Sequence, residues 1–259
     1  MQYGMYVSAS SVAAAMARQD VVSNNLANVN TVGYRPDALD LRHRLSARQE
    51  DSLLNLPSNA LLERLGAGVQ PMGTRVTTKG GPLMATGNPL DVAIEGDDGF
   101  FVTSVKPAFE GDSGLRFTRD GRLTMRSDGT LVTASGGYPL LDTGGSPIRV
   151  NPLSPAPLTI DADGTVRQGQ AEVGKFRVAS VAEPAGLIKE GDNMLSPRGQ
   201  EVRDVSATVR SGHAEASGVD AIRSMMAVTS ASNAASSGLG MISYYSDMMS
   251  RAIQSLGRP

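Results

Sequence analysis

Gly111-Asp112-Ser113-Gly114 is the first place in this sequence where residue type and spacing point to chemistry. A Ser in such a Gly-bracketed loop, with backbone amides aimed at a developing oxyanion, is how one class of hydrolases presents its nucleophile. That chemistry needs a base in hydrogen-bond reach, and the chain has two His. His43 sits in a charged connector and His213 beside a C-terminal helical pattern, while the same four residues also make an ordinary turn. We read them as a turn. Two Asp-rich segments, RSDG at 126–129 and DADG at 161–164, resemble the start of a calcium loop, but the spaced acidic ligands and bidentate Glu of an EF-hand do not follow. Tight hairpin turns account for both. With no Cys, disulfides, thiolate metal sites and Cys nucleophiles are excluded together. The expectation is a protein with no catalytic residues, no metal, no cofactor and no small-molecule substrate.

The elements around these turns differ along the chain. From Met5 the residues Met5, Ala9, Val12, Met16, Gln19, Ser23 and Leu26 recur at steps of four and three, a narrow heptad-like seam on a helix. Gly and Pro are absent between Met5 and Thr31, so one helix of about six turns is expected at 3.6 residues per turn, with Ser8, Ser10 or Ser11 as candidate caps. At the other end Ile242, Tyr245, Met249, Ala252 and Leu256 form a second seam, and Ile222, Met225 and Thr229 start an earlier one. Between them Ser232 to Gly240 (SNAASSGLG) is small and polar, and each interior Gly costs roughly 1 kcal/mol against Ala. A bent or two-part C-terminal helix is expected.

Between Gly80 and Gly212 short alternating runs punctuated by Gly, Pro and Asp-Gly pairs read as an all-β unit. Phe117 to Thr133 is the clearest stretch, with Asp120-Gly121 and Asp128-Gly129 as expected hairpin turns; Asp163-Gly164 repeats the signal and Lys175 to Val181 reads as a strand. Residues 36–79 form a connector in which LDLRHRLSARQ and ALLERLG are candidate short helices. The fold class is therefore α+β, with paired, coiled-coil-like N- and C-terminal helices and a mainly β middle domain. The expected divisions are 1–35, 36–79, 80–214 and 215–259. A net charge of -2 carries no overall basic field for a phosphate backbone, so nucleic acid is not an expected partner. No run approaches the ~20 apolar residues of a membrane span, and the first residues lack the basic n-region of a cleaved signal.

Three segments carry a family resemblance. Asn24 to Asp37, NNLANVNTVGYRPD, closes the N-terminal helix, with Asn24, Asn25 and Asn28 offering amides to free backbone groups and Gly33 permitting positive φ. It resembles the N-terminal motif of the bacterial flagellar rod and hook proteins, in which Asn24, Asn25, Leu26, Ala27, Asn28, Thr31, Gly33 and Tyr34 form the helix terminator. Gly87 to Phe101 (GNPLDVAIEGDDGFF), continued by Phe117 to Leu141, is similar to the family's entry into its β-domain, with Asp97-Asp98 as a small departure. Glu215 to Asp220, EASGVD, resembles its turn into the C-terminal helix, with Gly218 where Asn is commoner. One departure is larger: where the family usually carries an Arg-Ala-Tyr-Glu run, this chain reads SNAASSGLG, which implies closer or more flexible packing.

The resemblance implies a subunit of the flagellar basal-body rod, of proximal rather than distal rod type, exported through the flagellar type III apparatus without a cleaved signal peptide. Its partners would be copies of itself and other rod proteins. The helices would pair within a subunit and bury their remaining faces against neighbours, with the β-domain outside. Met5, Val12, Met16, Leu26, Ile222, Met225, Ile242, Tyr245, Met249 and Leu256 are the expected assembly interface. Seams this thin are marginal alone, since helical stability comes mostly from packing an apolar face, so residues 1–35 and 215–259 are expected to order only on assembly. Rival readings are a distal rod or hook-type axial protein, and a secreted β-domain adhesin or hydrolase.

Overall fold

The computed structural model describes residues 2–44, 68–105 and 114–256. The chain is α+β: a helix at each end and a mainly β middle region. It divides into two compact units, one of Met1–Leu26, Asp37–Thr74 and Asp220–Pro259, the other of Ala27–Pro36 and Arg75–Val219.

In the first unit, α1 (Gln2–Ala27) runs without interruption because nothing in it breaks a helix except Gly4 in its first turn. It begins before Ser8, so none of the three candidate serines caps it; the Ser10 hydroxyl instead donates to the Val7 carbonyl one turn back, at 2.8 Å. β1 (Asp37–His43) and β2 (Val69–Val76) form a two-stranded sheet. Leu39 to His43 is thus strand rather than helix, consistent with Leu39 and Leu41 alternating with Asp40 and Arg42; ALLERLG lies outside the described residues. α2 (Ala221–Leu256) is one continuous helix of 36 residues, not two parts. Asp220 caps it, accepting the Arg223 amide at 3.1 Å on its side chain.

In the second unit the central sheet has six strands in the order β13 (Ile188–Gly191), β14 (Met194–Ser196), β6 (Leu115–Thr118), β5 (Phe100–Ser104), β12 (Val178–Val181) and β15 (Val202–Asp204). β5 is buried on both faces, which is why it reads as a continuous apolar run. Phe101 points into one cluster with Val92, Ile94, Leu131, Ile148 and Phe176. Phe100 and Val102 point into the other with Phe117, Leu141, Val181 and Leu195.

Smaller sheets surround it. β7 (Leu123–Met125) pairs with β8 (Leu131–Thr133), β3 (Leu83–Ala85) with β17 (His213–Glu215), and β4 (Val92–Ile94) with β16 (Val209–Ser211), while β9 (Leu158–Ile160), β10 (Thr165–Gln168) and β11 (Ala171–Lys175) form a three-stranded sheet. Two Asp-Gly pairs make the expected hairpins: Asp128-Gly129 joins β7 to β8 and Asp163-Gly164 joins β9 to β10, each Gly at positive φ (81° and 85°). Asp120-Gly121 does not. It links β6 to β7, which belong to different sheets, and a Cβ on Gly121 would lie 1.6 Å from the Val92 carbonyl oxygen. Gly is required there for close backbone approach, not for a turn. Lys175 to Val181 likewise splits, with Phe176 leaving β11 before β12 begins.

Candidate assembly interface

The terminal helices run antiparallel within their unit. A Cβ built on Gly4 would lie 2.9 Å from the Tyr245 ring, and one on Gly238 would lie 2.4 Å from Val12 Cγ2. Rising numbers on one helix thus meet falling numbers on the other. Gly238 is therefore a point of close approach between the helices rather than a break in α2, while a Cβ on Gly240 meets nothing within 4 Å. The inward seam of α2 continues through its small-residue stretch: Ser224, Val228, Ala231, Ala235, Gly238, Ile242 and Tyr245 are each buried or half-buried and step by four and three. Ile222, Met225 and Thr229 are exposed, so the first half of the seam lies one residue earlier than the large side chains indicate. On α1, Met5, Val12, Gln19 and Leu26 are buried or half-buried, whereas Ala9, Met16 and Ser23 are exposed and Ser8, Ala15 and Val22 are half-buried beside those steps. Met249 is half-buried, and Leu256 ends α2.

Much apolar surface is left uncovered. Tyr6, Met16, Ile222, Met225, Met226, Leu239, Met241, Tyr244 and Ile253 are all exposed. Beside them lies a groove of about 480 Å³ between α1, the β1–β2 sheet and α2, lined largely by Ala14, Ala15, Ala227, Ala231 and Ala234.

The Asn-rich terminator is shared between the two units. Asn25 is buried and clamps the chain where it leaves the helix: its Nδ2 donates to the Asp37 carbonyl at 2.8 Å, and its Oδ1 accepts the Asp37 amide at 2.9 Å. Asn28 turns the chain, its carbonyl accepting the Thr31 amide at 3.2 Å and its side-chain oxygen the Thr31 hydroxyl at 3.1 Å. Asn24 and Ala27 are exposed and Leu26 half-buried.

From Ala27 onward the loop belongs to the β unit. Gly33, with φ of 69°, would place a Cβ 2.4 Å from the Arg119 backbone. The Gly33 amide donates to the Glu215 carbonyl at 2.7 Å and the Gly218 amide to the Tyr34 carbonyl at 2.9 Å, so the two family segments flanking the helices are joined. The Lys189 ammonium lies 3.8 Å from the buried Tyr34 ring centre.

A buried charge cluster locks this junction. The Glu215 carboxylate lies between Arg35 (Nη2 to Oε1, 3.2 Å) and Arg119 (Nη1 to Oε2, 3.0 Å), and all three side chains are almost fully buried. Arg35 also donates to the Thr78 carbonyl and reaches Asp97 at 3.4 Å. Arg119 donates to the Gly96 carbonyl at 2.9 Å and stands 5.2 Å from the Phe100 ring centre. Burial pulls the Arg119 guanidinium below its ordinary value, opposed chiefly by Glu215. The Gly80 amide, more than Arg35, holds Asp97 below the usual carboxylate range. Among the described residues the Nε and Nη2 atoms of both arginines have no hydrogen-bond partner, and one buried carboxylate faces two buried cations. Sequence reasoning missed this latch, although Arg35, Asp97, Arg119 and Glu215 all lie inside the three family segments.

Nothing catalytic assembles among the described residues. Ser113 lies outside them; His213 Nδ1 lies 2.9 Å from the Ser211 carbonyl; His43 is exposed on β1. Asp128 and Asp163 accept the amides of Thr130 and Thr165 at 3.0 and 3.1 Å, which closes turns rather than presenting ligands. Among the described residues there is no group of three His, Cys, Asp or Glu placed to hold a metal, and no helix long and apolar enough to cross a membrane.

Comparison with known proteins agrees with this geometry. Residues 5–35 match the family model described as flagella basal body rod protein, and residues 93–168 match that of the flagellar hook protein FlgE/F/G D1 domain. The chain is 30% identical to the flagellar basal-body rod protein FlgF of Caulobacter vibrioides, across 100% of this chain and 99% of that one. FlgF of Rhizobium meliloti is 28% identical over 99% of both. FlgG of Caulobacter vibrioides is 29% identical over 87% of this chain and 88% of its own.

Proposed function

Since this chain belongs to the flagellar basal-body rod protein family, and is therefore a structural rod subunit rather than an enzyme, we propose that it occupies the proximal part of the rod. Membership carries assembly with other rod subunits. The proximal position is supported by the end-to-end likeness to FlgF, a proximal rod protein, in two relatives. A distal position is the second reading, favoured by the similar identity to FlgG. If proximal, removal of the chain from cells leaves basal bodies without the distal rod subunits; a distal subunit leaves the proximal ones in place.

The observation that carries the mechanism is the apolar surface left open on the helix pair. Met5, Val12, Leu26, Ile242, Tyr245 and Met249 hold the pair together, and Met16, Ile222 and Met225 bury against neighbouring subunits, copies of this chain among them. The terminator from Asn24 to Tyr34 ends α1 and turns the chain through the Asn25 clamp and the Asn28 turn. Export through the flagellar type III apparatus follows from the same family reading. A double Ile222→Glu, Met225→Glu variant should fold but fail to enter basal bodies; normal incorporation of that variant would remove these residues from the interface.

A further inference from the structure

The two terminal helices carry few charges, and most of those have no partner. On α1 the charged residues are Arg18 and Asp20; on α2 they are Arg223, Asp247 and Arg251. Arg223 reaches Asp220 at 3.4 Å, beside the helix cap. The other four are exposed and make no ion pair or hydrogen bond among the described residues.

Two of them mark surfaces that complement each other. Arg18 is the one charged residue lining the groove between α1, the β1–β2 sheet and α2, whose walls are otherwise largely alanine. Walls that small admit another helix with its backbone close, and a single cation at them selects an acidic face. Asp247 is the one acidic residue of α2. At 3.6 residues per turn it shares a stripe about 60° wide with Gly240, Tyr244 and Arg251. That stripe is turned away from Gly238 and Tyr245, which meet α1. All four of its residues are exposed, Tyr244 to 62%. The space beside Gly240, where a Cβ meets nothing within 4 Å, leaves a flat approach one turn before the Tyr244 ring.

Arg18 and Asp247 are too far apart to meet within one molecule. Val12 lies opposite Gly238 in the antiparallel pair, so Arg18 is level with about Ser232. The roughly 15 positions from there to Asp247 span about 22 Å at 1.5 Å per residue. A second copy displaced by that distance along the helices brings the two charges together and leaves one groove and one stripe open, the heterologous geometry that propagates a polymer.

We propose that the stripe of Gly240, Tyr244 and Asp247 on one copy docks in the alanine-lined groove of a second copy, where Asp247 pairs with Arg18. The ion pair sets partner and register, and the close helix approach supplies the contact area. The proposal rests on the rod reading and identifies one contact through which that assembly runs.

Charge reversal tests it while leaving groove and stripe in place. In cells whose sole copy is full-length Arg18→Asp or Asp247→Arg, like charges face each other, and incorporation into basal bodies should fall about tenfold or more. Cells carrying both single variants together should incorporate both, because each groove then finds the opposite charge on the other copy's stripe. A misfolded chain or a contact within one molecule could not be repaired in this way. Normal incorporation of either single variant overturns the pairing, and a loss that co-expression does not repair overturns the second copy as the occupant; both leave the rod reading intact. Failure of the wild-type chain to enter basal bodies would sink the rod reading itself.

Discussion

In the β unit Phe100, Phe101, Phe117 and Phe176 are all buried, in two clusters that cover both faces of a central sheet. Among the described residues of the helical unit the buried hydrophobic side chains are Val12, Ala231 and Ala235, while Tyr244, Ile253 and the methionines 225, 226 and 241 stay in water. The first has the core of a domain that stands by itself. The second has a seam of small residues that brings two helices together and leaves their larger side chains outside, which is what a part completed by its neighbours should look like. The latch lies wholly within the self-sufficient unit, into which residues 27–36 and 215–219 are built.

The sharpest way to break that contrast is Glu215→Ala, which removes the buried carboxylate that two buried guanidinium groups share, leaving Arg119 without its ion pair and Arg35 with the exposed Asp97. It should cost the β unit about 3–5 kcal/mol, a fall in melting temperature on the order of 10 °C at 2–4 °C per kcal/mol. Far-UV helical signal in the cold should change little. A loss confined to the helical transition would mean the latch belongs with the helices instead.

Within the helical unit Gly238 and Gly240 should separate. Gly240→Ala has open space and gains roughly 1 kcal/mol of helix propensity, seen as higher helicity and a later helical melt. Gly238→Ala forces Val12 aside and should lose that gain or reverse it. Equal gains at both positions would deny the close approach.

The smallest expected effect is acid sensitivity on the β side. Asp163 is drawn down to about 2 from an ordinary 3.8, first by the Thr165 amide, then by the Thr165 hydroxyl and Lys175. A folded value below the unfolded one contributes stability above the ordinary carboxylate range, lost as pH falls toward the folded value. The melting difference between wild type and Asp163→Asn should therefore shrink between about pH 3.8 and 2.

Periodicity and turn chemistry made the architecture legible: the two terminal helices, the β middle and the Asp128-Gly129 and Asp163-Gly164 hairpins are readable because each rests on local residue pattern. Gly121 was not, because what it meets is the Val92 backbone of a distant strand. The α2 seam was misplaced for a related reason. Hydrophobic spacing picks out Ile222 and Met225, but the contact is made by Ala231, Ala235 and Gly238, whose smallness is the signal. The latch joins Arg35 to Glu215 across most of the chain, and no local rule pairs them.

Hydrogen exchange on the dilute monomer tests most directly whether the helices depend on sister subunits. Amides of 5–25 and 222–255 should exchange quickly, while β5, β6 and the segment 33–36 stay protected together. Slow exchange along both helices, at the level of the central sheet, would contradict it.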